Sequence, residues 1–380
     1  MARTVVGLDI GCCGVRAAEI LPGRRPSLRR YASVALPQGV IQSGLVIDAE
    51  ALTKALRMLW VQGRFSTKDV TVGIANNGVL VRQMDLEWMP ADDFRQALRY
   101  QVADALPVPV DEANLDYYML DEIEPHPENP QQRKIARVML VAAGREMVDT
   151  FVHSIQSAGL SPIRVDLLPF ALVRAVSPVV GPSSPLEAIV DIGADTVVVV
   201  VHQGGRPRFV RTLAGHGGHA ITQALMDRYE WTWEEAERTK IAVGLLDRQP
   251  SVALVAPETV SDTLLDDLTA TSVRTCVRRQ DHPAQEVIGD QVASLVAELG
   301  ATLDYFMSSV GDGATLTRLL LTGLAADLGG LAEVLEKQLD VPVAHLSVIE
   351  RLRTPRGMVL LEEEESALTV PAGLCLVAGA

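Results

Sequence analysis

The sequence predicts an α/β protein built from two similar domains around a central cleft. The first observation is a repeated segment, because Asp9-Ile10-Gly11 near the start of the chain returns as Asp191-Ile192-Gly193 at its midpoint. In both copies an apolar strand leads through the aspartate and glycine into a turn and a second strand, which is the pattern of a β-hairpin. The second observation is length, since 380 residues exceed what one hydrophobic core usually serves. Duplicated units of this kind pack around one ligand cleft.

Composition and charge exclude several classes of protein. The chain is 48% hydrophobic and 22% charged, which is typical of a soluble globular protein. Its net charge of -14 does not suit nucleic-acid binding, which depends on cationic side chains. No apolar run reaches the ~20 residues of a membrane span, and Asp9 and Gly11 interrupt the first apolar run too early for a secretion signal. We therefore expect a cytoplasmic protein that does not bind nucleic acid.

The cysteines and histidines form no metal motif along the chain. His216 and His219 have no cysteine or acidic residue at ligand spacing, so spacing predicts no metal role for them. The adjacent cysteines are interpreted as small side chains in a turn. Four cysteines occur, and none has the spacing of a metal or redox motif: Cys12, Cys13, Cys276 and Cys375.

The first half predicts a helix, a strand and then a separate α+β module. Apolar residues recur at helical spacing over residues 48–65, beginning at a plausible Asp48 cap, and a strand follows at 70–75. The module interrupts this domain. Its elements are predicted as strand 81–86, helix 90–105, strands 114–120 and 136–143, helix 146–158 and strand 163–168.

The sequence of the second half predicts three consecutive strands followed by helices, and several candidate site residues lie on or next to these helices. Gly217 and Gly218 precede a helix at 220–229, and glycines there leave N–H groups free for an anion. Glu237 and Lys240 are i and i+3 neighbours on the next helix, and Gly323 ends a strand before a further helix, where a flat base or sugar could lie. The remaining predictions are strands 188–191, 196–202, 207–212 and 318–321, helices 285–309 and 330–339, an acidic surface run at 362–365 and a terminal helix at 372–378.

Taken in order, these segments resemble the PilM family of actin-like proteins, which serves type IV pilus assembly, over nearly the whole chain. The resemblance implies an actin-like, ribonuclease H-like fold with duplicated domains around a nucleotide cleft and an inserted α+β module. It divides the chain into a first domain at 1–80 and 166–182 with helix 367–380 packed back on it, the module at 81–165, and a second domain at 186–366 with a smaller subdomain at about 246–283. The segments that carry the resemblance are Gly7-Leu8-Asp9-Ile10-Gly11 with Val15-Arg16-Ala17-Ala18-Glu19, Met139-Leu140-Val141-Ala142-Ala143, Ala158-Gly159-Leu160-Ser161-Pro162 with Val165-Asp166, Gly217-Gly218 with Ile221-Thr222, Ala236-Glu237 with Lys240, Leu303-Asp304-Tyr305-Phe306 and Ala372-Gly373-Leu374.

The resemblance also implies a site for ATP and Mg²⁺. Asp9 and Asp191 would flank the metal ion. Two turns would hold the phosphates, the first formed by Gly11, Cys12, Cys13 and Gly14 beside Arg16, and the second by Gly193, Ala194, Asp195 and Thr196. Gly217 and Gly218 would border the phosphates and ribose, Glu237 and Lys240 the ribose and adenine, and Gly323 the base.

Two departures from the family pattern predict weak nucleotide binding. Cys12 and Cys13 stand where relatives carry hydroxyl side chains, and Gly323 is followed by Leu324 rather than a second glycine. Hydrolysis also needs a residue that orients the attacking water, and the sequence offers no clear one. We expect at most a slow ATPase.

The implied partner is the N-terminal cytoplasmic peptide of PilN, bound in a groove between the first domain and the module, with Arg82 and strand 81–86 in the contact surface. This partner would hold the protein at the inner face of the cell membrane, and self-association is a further expectation. Two alternatives stay open. One is an FtsA-like filament protein that tethers to the membrane, disfavoured because residues 374–380 show no basic amphipathic tail. The other is a small-molecule kinase of the same superfamily.

Overall fold

The computed structural model describes residues 3–76, 78–125, 133–176, 184–245, 283–310, 314–355, 358, 360 and 362–376. Nearly all of the smaller subdomain predicted at about 246–283 lies outside these ranges, as does Cys276. Among the described helices, none is long and apolar enough to cross a membrane.

The first half contains the first hairpin and a helix that covers it. Asp48 caps this helix, because its side chain accepts hydrogen bonds from the backbone N–H groups of Glu50 and Ala51. The elements are β1 (Val5–Gly11), β2 (Gly14–Leu21), β3 (Ser27–Ala35), β4 (Ile41–Gln42), β5 (Leu45–Val46), α1 (Ala49–Gly63) and β6 (Asp69–Ile74).

A three-stranded antiparallel sheet with one helix follows. Its elements are β7 (Val79–Glu87), α2 (Ala91–Gln101), β8 (Ala113–Ile123) and β9 (Ile135–Gly144), and the strand order is β7-β9-β8. The chain then continues through α3 (Arg145–Ser157), β10 (Ser161–Leu167) and α4 (Leu168–Val176). Strand β10 lies inside the range predicted for the module, yet it pairs in parallel with β6. The first sheet therefore has the order β10-β6-β1-β2-β3.

The second half repeats this arrangement. Its elements are β11 (Leu186–Ile192), β12 (Thr196–Gln203), β13 (Arg206–Ala214), α5 (Gly218–Tyr229), α6 (Trp233–Val243), α7 (Ala284–Val310), β14 (Leu316–Thr322), α8 (Leu331–Leu339), β15 (Val343–His345) and α9 (Glu362–Cys375). The sheet order is β13-β12-β11-β14-β15, so each half has three antiparallel strands followed by two parallel ones. The predicted duplication is confirmed.

The last helix is longer than the sequence predicted. We expected an acidic surface run at 362–365 and a terminal helix that begins at 372 from the apolar pattern, or at 367 from the family resemblance, but α9 begins at Glu362. Acidic residues stabilise the first turn of a helix through its dipole, so the acidic run is helical. The helix lies against the first sheet, where a Cβ on Gly7 would come 2.1 Å from the Pro371 carbonyl oxygen. The glycine in β1 therefore allows this close approach.

Candidate functional site

Two short turns face the space between the halves. Gly11 pairs with Gly14, and the N–H of Gly193 donates to the carbonyl of Thr196 at 3.0 Å, so each hairpin closes with two residues. Those turn residues are Cys12-Cys13 and Ala194-Asp195. Their four N–H groups have no backbone acceptor among the described residues. Free amides clustered in this way suit an anion such as phosphate.

The carboxylate of the first hairpin is paired. Asp9 lies opposite Arg16 in the β1–β2 register, and Arg16 Nη1 donates to Asp9 Oδ2 at 3.1 Å. The two side chains are only 11% and 10% exposed. Burial raises the pKa of Asp9, and the charge and hydrogen bond of Arg16 oppose that rise without cancelling it.

The carboxylate of the second hairpin has no such partner. Asp191 lies opposite Val198, and no described side chain donates a hydrogen bond to it. Burial and then the charge of Asp9 raise the pKa of Asp191 to about 7. Two buried carboxylates on facing strands are the hard oxygen ligands that Mg²⁺ prefers. The donor chemistry therefore fits a divalent cation at Asp9 and Asp191.

These two carboxylates line one cavity of about 110 Å³. A larger cavity of about 450 Å³ adjoins it and shares Cys12, Asp195 and Thr196. Ligands of drug size occupy roughly 300–1,000 Å³, so the inner cavity takes an ion and waters but not a nucleotide. The predicted residues that line the inner cavity are Asp9, Gly11, Cys12, Cys13, Arg16, Asp191, Gly193, Ala194, Asp195, Thr196 and Gly323.

The glycines before α5 pack against the backbone of the second turn. Gly218 N–H donates to the Gly193 carbonyl at 3.0 Å, and His219 N–H donates to the Ala194 carbonyl at 2.7 Å. A Cβ on Gly217 would lie 2.4 Å from the Ala194 carbonyl oxygen. The prediction that these glycines leave N–H groups free for an anion was wrong at Gly218, because the Gly193 carbonyl already accepts its N–H.

Glu237 and Lys240 lie outside the cavity, in a network of their own. Lys240 Nζ donates to Glu237 Oε2 at 2.8 Å, to Thr222 Oγ1 at 2.9 Å and to the Gly218 carbonyl at 3.1 Å. Three acceptors satisfy the ammonium group, which ties α6 to the start of α5. Gly14 is also away from the cavity, where a Cβ would lie 2.8 Å from the Val34 carbonyl oxygen.

Gly323 lies directly behind the second carboxylate. Its φ is 94°, and a Cβ there would lie 2.6 Å from Asp191 Oδ1 and 2.5 Å from the Ile192 carbonyl oxygen. Glycine is the residue that this left-handed conformation and this close approach allow.

Sequence reasoning missed two residues at the mouth of the cleft. Ser43, between β4 and β5, donates its N–H to Asp195 Oδ2 at 2.8 Å across the two halves. His219 Nε2 lies 3.3 Å from Cys13 Sγ, and its Nδ1 lies 3.6 Å from Asp195 Oδ1. His219 has no cysteine or acidic neighbour at ligand spacing in the sequence, but the fold brings Cys13 and Asp195 next to it. The absence of such a neighbour in the sequence was therefore misleading. Both contacts hold the cleft closed.

A third cavity lies elsewhere, with a volume of about 1,040 Å³. Its walls are the β7–β9–β8 sheet on one side and β11, β12, β13 and α7 on the other. Arg82 lines it and forms no ion pair with another described residue, whereas Arg137 is paired with Asp85 and Arg208 with Asp121. We predicted Arg82 in a groove against the first domain, but this cavity has the second half as its opposite wall.

Comparison with solved structures supports the fold. Over 99% of this chain and 98% of the other, the structure resembles a PilM–PilN type IV pilus biogenesis complex, at 23% identity and a TM-score of 0.74. It also resembles the ethanolamine utilization protein EutJ from Carboxydothermus hydrogenoformans, at 15% identity, 98% and 89% coverage and a TM-score of 0.52. MreB5 of Spiroplasma citri bound to ADP matches at 11% identity, 92% and 94% coverage and a TM-score of 0.51. The predicted actin-like α/β fold is confirmed.

Family models match the sequence itself. A model of the cell division protein FtsA matches residues 188–361. A model of the type IV pilus assembly protein PilM matches residues 7–257, which include both hairpins and the three-stranded module. The resemblance seen in the sequence is thereby confirmed, and this chain belongs to the PilM family of type IV pilus assembly proteins.

Proposed function

We propose that this protein binds ATP and Mg²⁺ between its two hairpins and acts as a nucleotide-dependent scaffold of a pilus or related secretion platform. The observation that carries the proposal is the pair of facing turns, each with free N–H groups and each next to a buried carboxylate. Phosphate groups suit such amides, and Mg²⁺ suits such carboxylates.

Each predicted residue has a role in this proposal. The amides of Cys12, Cys13, Ala194 and Asp195 would hold phosphate oxygens, and Asp9 and Asp191 would hold Mg²⁺, which when bound neutralises phosphate charge. Arg16 orients Asp9. The remaining members shape the turns or border the nucleoside, and they are Gly11, Gly14, Gly193, Thr196, Gly217, Gly218, Glu237, Lys240 and Gly323.

Nucleotide binding would require the cleft to open. The inner cavity of about 110 Å³ is too small for a nucleotide, and the Ser43–Asp195 and Cys13–His219 contacts close its mouth. A ligand that binds only the open arrangement shifts the protein toward it. In this proposal, nucleotide binding changes the scaffold by shifting it from the closed to the open cleft, without fast hydrolysis.

The test is an equilibrium titration of the full chain with ATP and Mg²⁺, followed by chromatography of the recovered nucleotide. Saturable binding with the ATP recovered intact supports the scaffold. Rapid formation of ADP would instead identify an enzyme, and the absence of binding would mean that the actin-like shape is used without nucleotide.

The proposed partner is the N-terminal cytoplasmic tail of a PilN-like inner-membrane protein, which would bring this protein to the inner face of the membrane. A similar solved structure is described as a PilM–PilN complex. Strand β7 is an edge of its sheet, and an extended peptide can add to such an edge. Arg82 lines the third cavity and forms no ion pair with a described residue. Its guanidinium group could therefore bind an acidic or polar side chain of the peptide.

Arg82→Glu tests this surface. We expect it to weaken binding of a synthetic PilN tail about tenfold, and Arg95→Glu to leave binding unchanged. Arg95 is an exposed arginine of α2 in the same module, but it does not line the cavity. Equal peptide affinity for both variants would place the partner elsewhere.

The FtsA match over 188–361 favours a second candidate, which is a filament-forming protein. Light scattering with ATP and Mg²⁺ separates the two. An increase in scattered intensity when ATP and Mg²⁺ are added at a fixed protein concentration would favour filaments, and an unchanged intensity would favour the scaffold.

A further inference from the structure

Three side chains with metal-binding atoms converge at the mouth of the cleft. Cys12 Sγ and Cys13 Sγ lie 3.9 Å apart, and Cys13 Sγ lies 3.3 Å from His219 Nε2. All three atoms lie within 4.8 Å of one another. The cysteines belong to the first hairpin and the histidine to α5, so the cluster joins residues 206 positions apart.

These distances fit one tetrahedral metal ion. With Zn–S of about 2.3 Å and Zn–N of about 2.05 Å, tetrahedral zinc holds two sulfurs about 3.8 Å apart and sulfur and nitrogen about 3.6 Å apart. The Cys12–Cys13 and Cys13–His219 separations differ from these by a few tenths of an ångström, and the Cys12 sulfur lies within 4.8 Å of the histidine ligand atom. The fourth position would face the adjoining cavity of about 450 Å³, which Cys12 and His219 also line.

The surroundings of His219 orient its Nε2 toward the thiols. Nδ1 faces Asp195 Oδ1 at 3.6 Å, and the other oxygen of Asp195 accepts the Ser43 N–H at 2.8 Å. The ring also packs edge-on against Trp233, with centroids 4.8 Å apart. A carboxylate behind the distal nitrogen is the usual partner of a metal-binding histidine, because it fixes the tautomer.

Cys13 has the chemistry of a ligand, unlike the buried Cys375. Cys13 Sγ is only partly buried and lies beside His219 Nε2, which is the position of a thiol that a metal ion can reach. Cys375 instead donates to the carbonyls of Val5 and Ala18, and burial raises its pKa to about 12. Side-chain size alone explains small residues in a turn, but it does not explain an imidazole nitrogen 3.3 Å from Cys13 Sγ.

We propose that Cys12, Cys13 and His219 bind one thiophilic divalent metal ion, with Zn²⁺ as the ion to test, and that this ion fastens the two halves together across the cleft. The site goes beyond nucleotide binding, since its ligands are two sulfurs and a nitrogen rather than the oxygens of Asp9 and Asp191. A bound ion would hold closed the cleft that nucleotide has to open.

The test titrates the reduced, metal-free full chain with Co²⁺ and no nucleotide, under exclusion of oxygen. We expect one equivalent to produce a thiolate-to-cobalt charge-transfer band and the intense visible bands of a tetrahedral ion, and Zn²⁺ to displace both. The Cys276→Ser/Cys375→Ser control keeps only the paired cysteines and should give the same spectrum. Absence of the charge-transfer band in the parent chain, or its loss only in that control, would overturn the proposal.

Single variants assign the ligands. Cys12→Ser, Cys13→Ser and His219→Gln should each weaken Zn²⁺ binding, measured by competition with a chromogenic chelator, by well over about tenfold, and Asp195→Asn should weaken it about tenfold. Unchanged Zn²⁺ affinity in any of the first three variants would contradict the proposed site. Because the titration uses metal alone, failure here leaves the ATP proposal intact, and failure to bind ATP leaves this site intact.

Zn²⁺ should also stabilise the closed cleft. We expect it to raise the melting temperature of the parent chain and to weaken its binding of ATP and Mg²⁺, with neither effect in His219→Gln. If Zn²⁺ raised the melting temperature of His219→Gln by the same amount, the ion would not be bridging the halves.

Discussion

In the first hairpin Asp9 lies opposite Arg16 across the strand pair, whereas in the second hairpin Asp191 lies opposite Val198. The strands, turn lengths and sheet positions of the two hairpins match. One hairpin thus contributes a nearly neutral ion pair to the cleft, and the other contributes a carboxyl group with no hydrogen-bonded countercharge. The two hairpins share the backbone that positions their aspartates. The residue across the strand pair, Arg16 or Val198, decides whether the aspartate has an ion-pair partner.

The far ends of the hairpins differ in a similar way. Buried Glu19 on β2 accepts hydrogen bonds from Ser66 and Arg30, so its charge is satisfied. Buried His202 on β12 has no hydrogen-bond partner for either ring nitrogen among the described residues, and Glu187 Oε2 lies 3.6 Å away. Buried polar groups without partners cost stability. The second hairpin therefore carries its unsatisfied groups at both ends.

We expect the largest loss of stability from a substitution of Asp9. Asp9→Asn leaves the buried Arg16 guanidinium without a countercharge, so we expect a loss of about 3 kcal/mol in the free energy of unfolding, measured with urea. The control is the double variant Asp9→Asn/Arg16→Val, which copies the Val198 side of the second hairpin and should recover most of that loss. A double variant no more stable than Asp9→Asn alone would show that the ion pair is not the cause.

We expect a smaller loss of stability from a substitution at the contact between the second turn and α5. Gly217→Ala places a Cβ against the Ala194 carbonyl oxygen and should cost about 2 kcal/mol, because backbone has to move. A Cβ on Gly11 in the first hairpin would lie 3.4 Å from Arg16 Nη1 and 3.7 Å from the Gly14 carbonyl oxygen, so Gly11→Ala should cost little. Equal unfolding midpoints for the two variants would contradict this difference in packing.

The third effect is the pH dependence that His202 produces. Burial lowers the pKa of His202 in the folded state, despite the neighbouring charge of Glu187. The unfolded chain therefore takes up a proton below about pH 6.5 that the folded chain refuses, and stability falls as pH falls, by at most about 1.4 kcal/mol per pH unit. His202→Leu should flatten the curve of unfolding free energy between pH 7 and pH 5.5. An identical slope in both proteins would refute this assignment.

The smallest effect on stability is expected from Asp191→Asn. This substitution removes a buried carboxyl that has no hydrogen-bonded countercharge, so the free energy of unfolding at neutral pH should stay unchanged or rise by about 1 kcal/mol. The same substitution thus has opposite consequences in the two hairpins. A loss as large as that of Asp9→Asn would mean that the hairpins carry equivalent charges after all.

The backbone of the hairpins and the inserted sheet could be predicted, because alternating apolar strands and glycine turns are local signals. The start of the last helix could not, because it depends on packing against Gly7 and on the helix dipole rather than on a local pattern.

The site was predicted where it depends on strand ends and missed where it depends on contacts between the halves. Asp9, Asp191 and both turns follow from the repeated motif. His219 and Ser43 reach the cleft only through folding, and the Gly218 amide is taken by the second turn, which no local pattern reveals.

The most direct test of a single site shared by both hairpins is the affinity for ATP, with and without Mg²⁺, in the parent chain and in Asp191→Asn. Because we expect that variant to be as stable as the parent chain and to keep its first turn, a loss of Mg²⁺ dependence is assigned to the second carboxylate. We predict that the parent chain binds ATP more tightly with Mg²⁺ and that Asp191→Asn loses this Mg²⁺ dependence. An undiminished Mg²⁺ dependence in the variant would contradict the shared site.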